Sequence, residues 1–196
     1  MTTTRKAGRP RAASRQLLEE AACELFLEQG FATTSVAQIT SRAGVSRSTF
    51  FNYFETKSDL LWATFDELVA ELPSALRQAH EGGADQRAAV TSALHQVAHR
   101  LPADNVALAF SQDAAMGLGE ELSIAAVRRG GHVRDAVASF LRLGGQPTLR
   151  AEVLAASYAG ALMAAVRDWS LEGPARVRLP DVLDEALRPL AALGSI

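Results

Sequence analysis

The sequence predicts an all-α protein. Apolar residues recur at helical spacing, Pro and Gly divide the 196 residues into segments of helical length, and we find no convincing run of alternating β-branched residues. Hydrophobic residues make up 48% of the chain and charged residues 21%, which is enough apolar material for a sizeable core. We expect an N-terminal helix-turn-helix domain of three helices, followed by a larger helical domain.

The N-terminal segment predicts a basic arm and then a first helix. Residues 1–13 carry four basic side chains and few apolar groups, so we expect them to form a flexible arm. Ser14 is predicted to cap the first helix, which ends at Gly30, where a C-terminal glycine commonly stands. Apolar residues recur along this helix at i, i+4, i+7 and i+8, namely Leu18, Ala22, Leu25 and Phe26.

Two short helices are predicted next, over residues 36–43 and 46–53. Gly44 lies between them, and Ser46 is predicted to cap the second. Two short helices joined by a glycine-containing turn are typical of a helix-turn-helix.

A longer helix is expected to begin at Lys57 and to end at Pro73, linking the helix-turn-helix to the rest of the chain. A kink or break is expected at Gly130-Gly131. Further helices are predicted at residues 74–80, 86–101, 104–116, 120–143, 147–172 and 180–193.

Charge and cysteine content indicate the partners and the compartment. The net charge is −2, but residues 1–57 carry +3 and the remainder −5, which predicts that the basic part meets a polyanion. The single cysteine, Cys23, fits a reducing compartment. We see no signal peptide, and residues 153–166, the longest uncharged stretch of the C-terminal half, are shorter than the roughly 20 residues of a membrane span. We therefore expect a cytoplasmic protein without a membrane segment.

The sequence does not predict an enzyme, a metal site or a cofactor. It contains no G-x-S-x-G, Walker A or dinucleotide-binding motif, and Cys23 has no neighbouring His to activate it. His95 and His99 are one helical turn apart, but no carboxylate lies near them in the sequence, so zinc is not expected.

One segment carries a specific resemblance. Residues 44–57 read GVSRSTFFNYFETK, and they follow the motifs Gly8-Arg9-Pro10-Arg11 and Gly30-Phe31, then Thr34-Ser35-Val36. Over about residues 9–62 the chain resembles the DNA-binding domain of TetR-family transcriptional regulators. The resemblance implies a DNA-binding domain at 14–57 and an effector-binding and dimerisation domain at 58–196.

The helix predicted at 46–53 is short enough to lie in a major groove about 12 Å wide. Arg47 can chelate a guanine or hold a phosphate, and Asn52 can pair with an adenine or remain a solvated surface residue. Tyr53 and Lys57 match family positions that contact phosphate, and arginines of the arm can enter the minor groove or only attract phosphate weakly. The predicted DNA-contacting residues are Arg9, Arg11, Thr34, Ser35, Ser46, Arg47, Ser48, Thr49, Phe51, Asn52, Tyr53 and Lys57.

Two positions depart from the family pattern. Phe51 stands where many members have Tyr, so a phosphate hydrogen bond is lost and the ring can touch a thymine methyl instead. Thr40 stands where Ala is usual, and its hydroxyl needs a backbone partner. Phe50 and Phe54, at i and i+4, are expected to pack in the core.

The resemblance also implies that the C-terminal domain forms a homodimer. Small and apolar residues of the last two helices form the predicted surface, and the alternative is that they complete an intramolecular core. This set consists of Ala155, Ala156, Ala159, Gly160, Ala164, Ala165, Val182, Leu183, Ala186, Leu187 and Leu190.

The same domain is expected to bind a small, largely apolar effector. Taken singly, each candidate lining residue fits the core better than a pocket wall; the candidates are Trp62, Phe65, Phe110, Met116, Phe140, Tyr158, Met163 and Trp169. A polar head of the effector would meet histidines or arginines that can also be plain surface residues, namely His95, His99, His132, Arg128, Arg129 and Arg134. Residues 149–187 weakly resemble mycofactocin-type members, which implies an acyl-CoA-like ligand.

These features together predict a one-component repressor that binds palindromic operator DNA as a homodimer and is released by its effector. The alternative is an effector-independent DNA-binding or architectural protein whose C-terminal domain only dimerises.

Overall fold

The computed structural model describes the backbone of residues 11–193 and the side chains of residues 14–190. Within these residues the secondary structure consists of helices without strands, as predicted. The helices are α1 (Arg11–Gln29), α2 (Val36–Ala43), α3 (Arg47–Phe51), α4 (Ala63–Glu81), α5 (Gln86–Arg100), α6 (Asn105–Ser111), α7 (Asp113–Met116), α8 (Glu120–Leu143), α9 (Thr148–Glu172) and α10 (Leu179–Leu193), with a 3-10 turn at Ser58–Leu61.

Helices α1, α2 and α3, here called the head, form the helix-turn-helix. Gly44 adopts φ +66° between α2 and α3, a left-handed conformation that glycine takes at little cost. Helix α1 begins at Arg11, so the predicted cap at Ser14 is wrong: Ser14 lies inside the helix and is buried. The predicted arm therefore loses residues 11–13 to α1, and its residues 1–10 lie outside the described part.

The junction after the head differs from the prediction in two ways. A 3-10 turn at Ser58–Leu61 precedes α4, which begins only at Ala63. Helix α4 also continues through Pro73 to Glu81, so the separate helix at 74–80 does not exist. A proline inside a helix costs about 3 kcal/mol. Burial of α4 residues on both sides of Pro73 outweighs that cost, and they include Leu68, Val69, Leu72 and Leu76.

Helix α8 is continuous through Gly130-Gly131, so the expected break is wrong. The helix packs along α9, and a Cβ added to Gly130 would lie 3.3 Å from Cγ of Met163. Gly130 thus permits a close approach of the two helices. The helix predicted at 104–116 is instead two short helices, α6 and α7, interrupted at Gln112.

Helix α9 is the centre of the C-terminal domain, here called the body. It packs against α6, α8 and α10, while α4 lies between α5 and α8. By length and composition α9 is also the one described helix apolar enough to cross a membrane, but 44% of its most apolar window is buried within the protein. A buried helix in the core of a globular domain has this composition. The hydrophobic core runs without interruption from the head into the body.

The two-helix surface predicted for dimerisation is divided between core and surface. Ala155, Ala159, Ala165 and Leu183 are buried within the single chain, which corrects their assignment to the surface. The exposed side of α9 instead presents a line of residues spaced by three or four, namely Leu149, Val153, Ala156, Gly160 and Ala164.

Candidate DNA-binding site

The candidate reading helix is α3, and its position depends on one buried ring and one cap. Phe50 is fully buried and contacts the rings of Phe51 and Phe54, with centroid distances of 5.1 and 5.7 Å. Phe54 is also buried, so the prediction that both residues pack in the core is confirmed. Ser46 is the N-cap, as predicted, and its hydroxyl accepts a hydrogen bond from Thr49 N at 3.1 Å.

The exposed side of α3 brings together most of the predicted base-contacting residues. Arg47, Ser48 and Asn52 are exposed, and Phe51 has 54% of its surface accessible. The Arg47 guanidinium carbon lies 5.9 Å from the centre of the Phe51 ring. This face offers a cationic fork, an amide, a hydroxyl and an apolar ring, the groups that distinguish base edges in a major groove.

Three hydroxyls meet at the start of α3. The Ser46 Oγ lies 2.8 Å from both Ser48 Oγ and Thr49 Oγ1. Thr49 is half-buried, whereas Ser46 and Ser48 are exposed. Because Ser46 already caps the helix, its contribution to DNA binding would come through the Ser48 hydroxyl that it orients.

Helix α2 begins with a capping box that the sequence analysis did not identify. The Ser35 Oγ accepts from Gln38 N, and Gln38 Oε1 accepts from Ser35 N at 2.8 Å. The pattern Ser-x-x-Gln is visible in the sequence and would have revealed it. Ser35 is exposed at this N-terminus, where a phosphate is favoured.

Thr34 does not share that exposure, which corrects its predicted role. Its side chain is buried, with 2% of the residue accessible. The hydroxyl donates to Gly30 O at 2.8 Å and accepts from Gln29 Nε2 at 3.1 Å. Thr34 therefore fixes the turn between α1 and α2 and has no hydroxyl directed at a phosphate. The hydroxyl of Thr40, by contrast, has the backbone partner it needs, Ala37 O at 3.1 Å.

The Lys57 side chain is held by hydrogen bonds to two backbone carbonyls. Its ammonium donates to Phe31 O and to Thr34 O, the latter at 2.8 Å, and lies 4.1 Å from the centre of the Phe31 ring. Burial lowers the pKa of this lysine below its ordinary value. Lys57 thus anchors the turn that leads into α2, and its contact with phosphate stays a prediction.

Three predicted DNA-contacting residues remain, Tyr53, Arg9 and Arg11. Tyr53 follows α3, is half-buried and packs near Phe54, with ring centroids 6.2 Å apart. Arg11 is the first residue of α1, and its side chain is outside the described part, as is the whole of Arg9.

An arginine that the sequence analysis did not single out braces the head. Arg42, in the last turn of α2, donates to both carboxylate oxygens of Glu28, at 3.0 and 2.8 Å, and to Glu24 at 3.0 Å. The three residues are exposed. Their pairing orients α2 on α1. It also engages one basic side chain of the head with acidic partners from the same domain.

A second arginine links the head to the body. Arg129, in α8, is 3% exposed and donates to both oxygens of Asp66, at 2.9 and 2.7 Å, and to Asp59 at 3.1 Å. Its guanidinium carbon lies 4.9 Å from the centre of the Trp62 ring. Arg129 was a predicted contact of a ligand's polar head, and the structure corrects this, because Asp59 and Asp66 already engage its donors.

The pKa values of the two aspartates in this cluster shift in opposite directions. Burial raises the pKa of Asp66 above its ordinary value, although Arg129 opposes the effect. Burial also acts on Asp59, but hydrogen bonds from Thr56 N and Arg129 outweigh it and lower the pKa. Asp59 accepts from Thr56 N at 2.9 Å, so the cluster reaches the backbone just after α3.

The predicted effector-lining residues do not surround a common cavity. Trp62, Phe65, Met116, Tyr158 and Trp169 are buried, and Trp62 makes edge contacts with Phe65 and Phe110. Phe140 lines a cleft between α4 and α8, whereas Met163 lines one between α8 and α9. Tyr158 borders a third cleft beside α10.

The other singled-out residues have structural partners. Cys23 is buried, burial raises its pKa to about 12, and its thiol lies 3.2 Å from Asn105 Oδ1. His95 Nε2 lies 3.0 Å from an oxygen of Asp184 and joins α5 to α10. The pair His95 and His99 have ring centroids 6.1 Å apart.

Comparison with known proteins supports the interpretation of the head. Residues 18–64 match the family described as bacterial regulatory proteins, tetR family. MftR of Mycobacterium tuberculosis, a transcriptional regulator named for mycofactocin biosynthesis, is 34% identical over 71 residues, 36% of each chain. The transcriptional activator FasR of Mycolicibacterium smegmatis is 33% identical over 85 residues, 43% of this chain and 39% of FasR. The matches thus span little more than a third of these relatives.

A solved structure extends the similarity to the body. Thermus thermophilus FadR, a TetR-family transcriptional repressor in complex with lauroyl-CoA, superposes with a TM-score of 0.59 and 25% identity, over 90% of this chain and 93% of FadR. NalD, a repressor of a multidrug efflux pump in Pseudomonas aeruginosa, shares the fold with a TM-score of 0.58 and 16% identity. Residues 18–64 thus match the N-terminal domain of tetR-family bacterial regulatory proteins, and the whole chain shares its two-part helical fold with solved TetR-family repressors.

Proposed function

We propose that the protein is a cytoplasmic transcriptional repressor that binds a palindromic operator as a homodimer and releases it when a small, largely apolar effector binds. The observation that carries this proposal is the exposed side of α3. It presents Arg47, Ser48, Asn52 and Phe51 from a helix whose opposite side is fixed by the buried ring of Phe50. A short helix anchored by a buried ring and carrying this set of side chains fits the requirements for reading bases.

The exposed line of residues on α9 supports a homodimer. Leu149 and Val153 are 79% and 56% accessible, and small residues continue the line toward the end of the helix. On neighbouring α8, Val127 and Ile124 are 78% and 57% accessible. Exposed apolar area of this kind favours association, and a two-fold dimer would present two heads to the two halves of a palindrome.

Similarity to one ligand-bound structure supports an acyl-CoA as the effector. FadR, which resembles this chain over both parts of the fold, was solved with lauroyl-CoA. The match to MftR covers 71 residues, so the resemblance of the body to mycofactocin-type regulators stays a prediction. The acyl chain of an acyl-CoA needs an apolar groove, and its coenzyme A part needs polar groups. Clefts between α4 and α8 offer both kinds of surface.

The test is a selection of genomic fragments on the purified full-length protein at two salt concentrations, with sequencing of the retained DNA. A palindrome enriched at both concentrations is the expected result for a specific dimeric regulator. Retention without sequence preference, lost at the higher salt concentration, would contradict specific operator binding, because only phosphate contacts would remain. Addition of lauroyl-CoA to the retained complexes is expected to release them.

A second candidate function is an effector-independent DNA-binding protein. The observation that favours it is the full burial of Trp62, Phe65 and Met116, three candidate effector-lining residues that pack in the core of the single chain. The midpoint of thermal unfolding discriminates the two, since a ligand that binds only the folded state raises it. No shift with a series of acyl-CoA lengths, together with sequence-specific DNA binding, would favour this second function.

A further inference from the structure

Two exposed side chains of α3 lie next to each other. Arg47 and Phe51 are four residues apart, so they share one side of the helix. The Arg47 guanidinium carbon lies 5.9 Å from the centre of the Phe51 ring, which is within the range of a cation–π contact. Both residues are exposed to solvent. We call them the Arg47–Phe51 pair.

The Phe51 ring is supported by the core on one side and open on the other. It makes an edge contact with the fully buried ring of Phe50, with an interplanar angle of 82°. More than half of Phe51 is nevertheless accessible. An apolar surface of the size of a ring is therefore presented beside a cation, at the place where α3 would meet DNA.

No neighbouring residue of α3 presents a similar surface. Ser46, Ser48 and Thr49 carry hydroxyls that are hydrogen-bonded to one another, and Asn52 carries an amide. Between residues 46 and 52, all of which the structure describes, Phe51 is the one exposed apolar side chain. Contact with an apolar group of a base edge is thus assigned to Phe51 rather than shared along the helix.

The spacing within the pair matches two neighbouring base pairs. In the major groove a guanine offers O6 and N7 to an arginine, and a thymine offers its C5-methyl group to an apolar side chain. Stacked base pairs are about 3.4 Å apart, so two such steps span about 6.8 Å. The 5.9 Å between guanidinium carbon and ring centre is shorter than two steps and longer than one. With the helix in the groove, the two side chains can therefore reach adjacent base pairs.

We propose that the Arg47–Phe51 pair reads two adjacent base pairs of the operator, with Arg47 on a guanine and Phe51 on the C5-methyl group of a thymine in the neighbouring base pair. This inference rests on the proposed function, because it specifies part of the DNA site that α3 reads. It makes recognition depend on a methyl group rather than on a hydrogen bond. A cytosine methylated at C5 carries the same group, so its methylation would strengthen binding at this position.

The probe is a DNA duplex selected from a randomised library with the full-length wild-type protein. The expected duplex contains a guanine and a thymine in adjacent base pairs of each half-site. In one half-site that thymine is then replaced by deoxyuridine, cytosine or 5-methylcytosine. Thymine differs from uracil, and 5-methylcytosine from cytosine, by one methyl group, so the four duplexes measure the methyl contact twice.

Affinities are measured by fluorescence anisotropy. The wild type is expected to bind the thymine duplex about fourfold more tightly than the deoxyuridine duplex, the effect of burying one methyl-sized group. The same ratio is expected between the 5-methylcytosine and cytosine duplexes. Phe51→Ala should bring both ratios to about one, whereas Phe51→Tyr keeps the ring and should retain them. Asn52→Ala is the matched control, and it should change the affinity for all four duplexes by one common factor.

The guanine contact has its own test. Replacement of the adjacent guanine by 7-deazaguanine removes the N7 acceptor and leaves O6 in place. We expect this change to weaken binding of the wild type about tenfold, because a hydrogen bond to a charged donor is lost. Arg47→Ala should bind the two duplexes equally. A loss of the same size in Arg47→Ala would overturn the assignment of this guanine to Arg47.

The remaining outcomes separate the pair from the proposed function. If the library yielded no enriched sequence, specific operator binding would be contradicted and the inference would fall with it. An enriched duplex without adjacent guanine and thymine would overturn the inference and leave operator binding intact. Ratios near one for the wild type would overturn methyl recognition, and ratios that persisted in Phe51→Ala would overturn the role of Phe51.

Discussion

The head and the body of this protein obtain their structure by different means. In the head, α2 and α3 each begin with a serine whose hydroxyl accepts a backbone hydrogen bond, and Gly44 makes the turn between them. In the body, α5 and α6 begin with aspartate caps, but the three longest helices, α4, α8 and α9, begin without a side-chain cap, and their buried faces determine their positions. Structure in the head therefore depends on particular residues at particular positions, whereas the body depends on the summed burial of many similar ones.

The largest effect is expected where the head depends on a single buried ring. Phe50→Ala should lower the free energy of unfolding by about 3–5 kcal/mol, because the fully buried ring supports α3 and leaves a cavity when removed. The neighbouring Phe51→Ala is the control, with 54% exposure. It should cost about 1 kcal/mol or less in stability but alter DNA binding. Urea denaturation followed by circular dichroism measures both, and equal losses would contradict this division of roles.

The next effect concerns the DNA contacts of the head. Arg47→Ala should weaken operator binding by about 1–3 kcal/mol and relax the preference for one base pair, because a guanidinium that chelates guanine is lost. Arg42→Ala also removes a positive charge from the head, but this side chain is committed to Glu24 and Glu28. It should leave base preference unchanged.

Selection from a randomised operator library, at one salt concentration, compares the Arg47 and Arg42 variants. If Arg47→Ala weakened all sequences alike, Arg47 would be a phosphate contact rather than a reader.

The same contrast explains what the sequence could predict. The head was predicted in detail, including Ser46 as a cap and Phe50 and Phe54 as core, because each local signal has one structural meaning. Ser14 and Thr34 are exceptions. Ser14 lies inside α1 and not at its start. The place of Thr34 beside a helix N-terminus predicted exposure, but its hydroxyl donates inward to Gly30 O. Only the path of the chain decides between these orientations.

In the body the sequence predicted the helices but not how they pack against one another. The bounds of α8 agree with the prediction, yet breaks at Pro73 and Gly130 were wrong because packing outweighs local propensity. Aromatic side chains indicate apolar surroundings without telling a core from a ligand groove. Arg129 pairs with aspartates 70 and 63 positions earlier, a relation that no local pattern contains.

A smaller effect on the free energy of unfolding is expected at the Ser35 cap of α2. Ser35→Ala removes the capping box and should lower the free energy of unfolding by about 1 kcal/mol. Ser35→Asp retains an acceptor for Gln38 N, so it should keep most of the stability. Because it adds a negative charge where a phosphate is predicted, it should weaken DNA binding. Ser35→Asp that bound DNA as tightly as the wild type would remove Ser35 from the contact surface.

The smallest effect is expected at the glycine pair in α8. There, only helix propensity and packing should determine how a substitution changes the free energy of unfolding. A Cβ at Gly131 would meet no atom within 4 Å, so Gly131→Ala should raise the free energy of unfolding by about 0.5–1 kcal/mol. Gly130→Ala is the matched control and should gain less, because its Cβ would lie 3.3 Å from Met163 Cγ. Thermal unfolding of both variants gives the comparison.

Gly131 also lines the shallow cleft between α8 and α9 beside the exposed line of α9. If a second copy approaches closely at this point, the added methyl should weaken the dimer, which sedimentation equilibrium would detect. The stability gain of Gly131→Ala would then depend on protein concentration, because association and folding are linked in a dimer. A gain that is independent of concentration would place the dimer contact elsewhere on the body, and it would leave the glycine pair as a feature of helix packing within one chain.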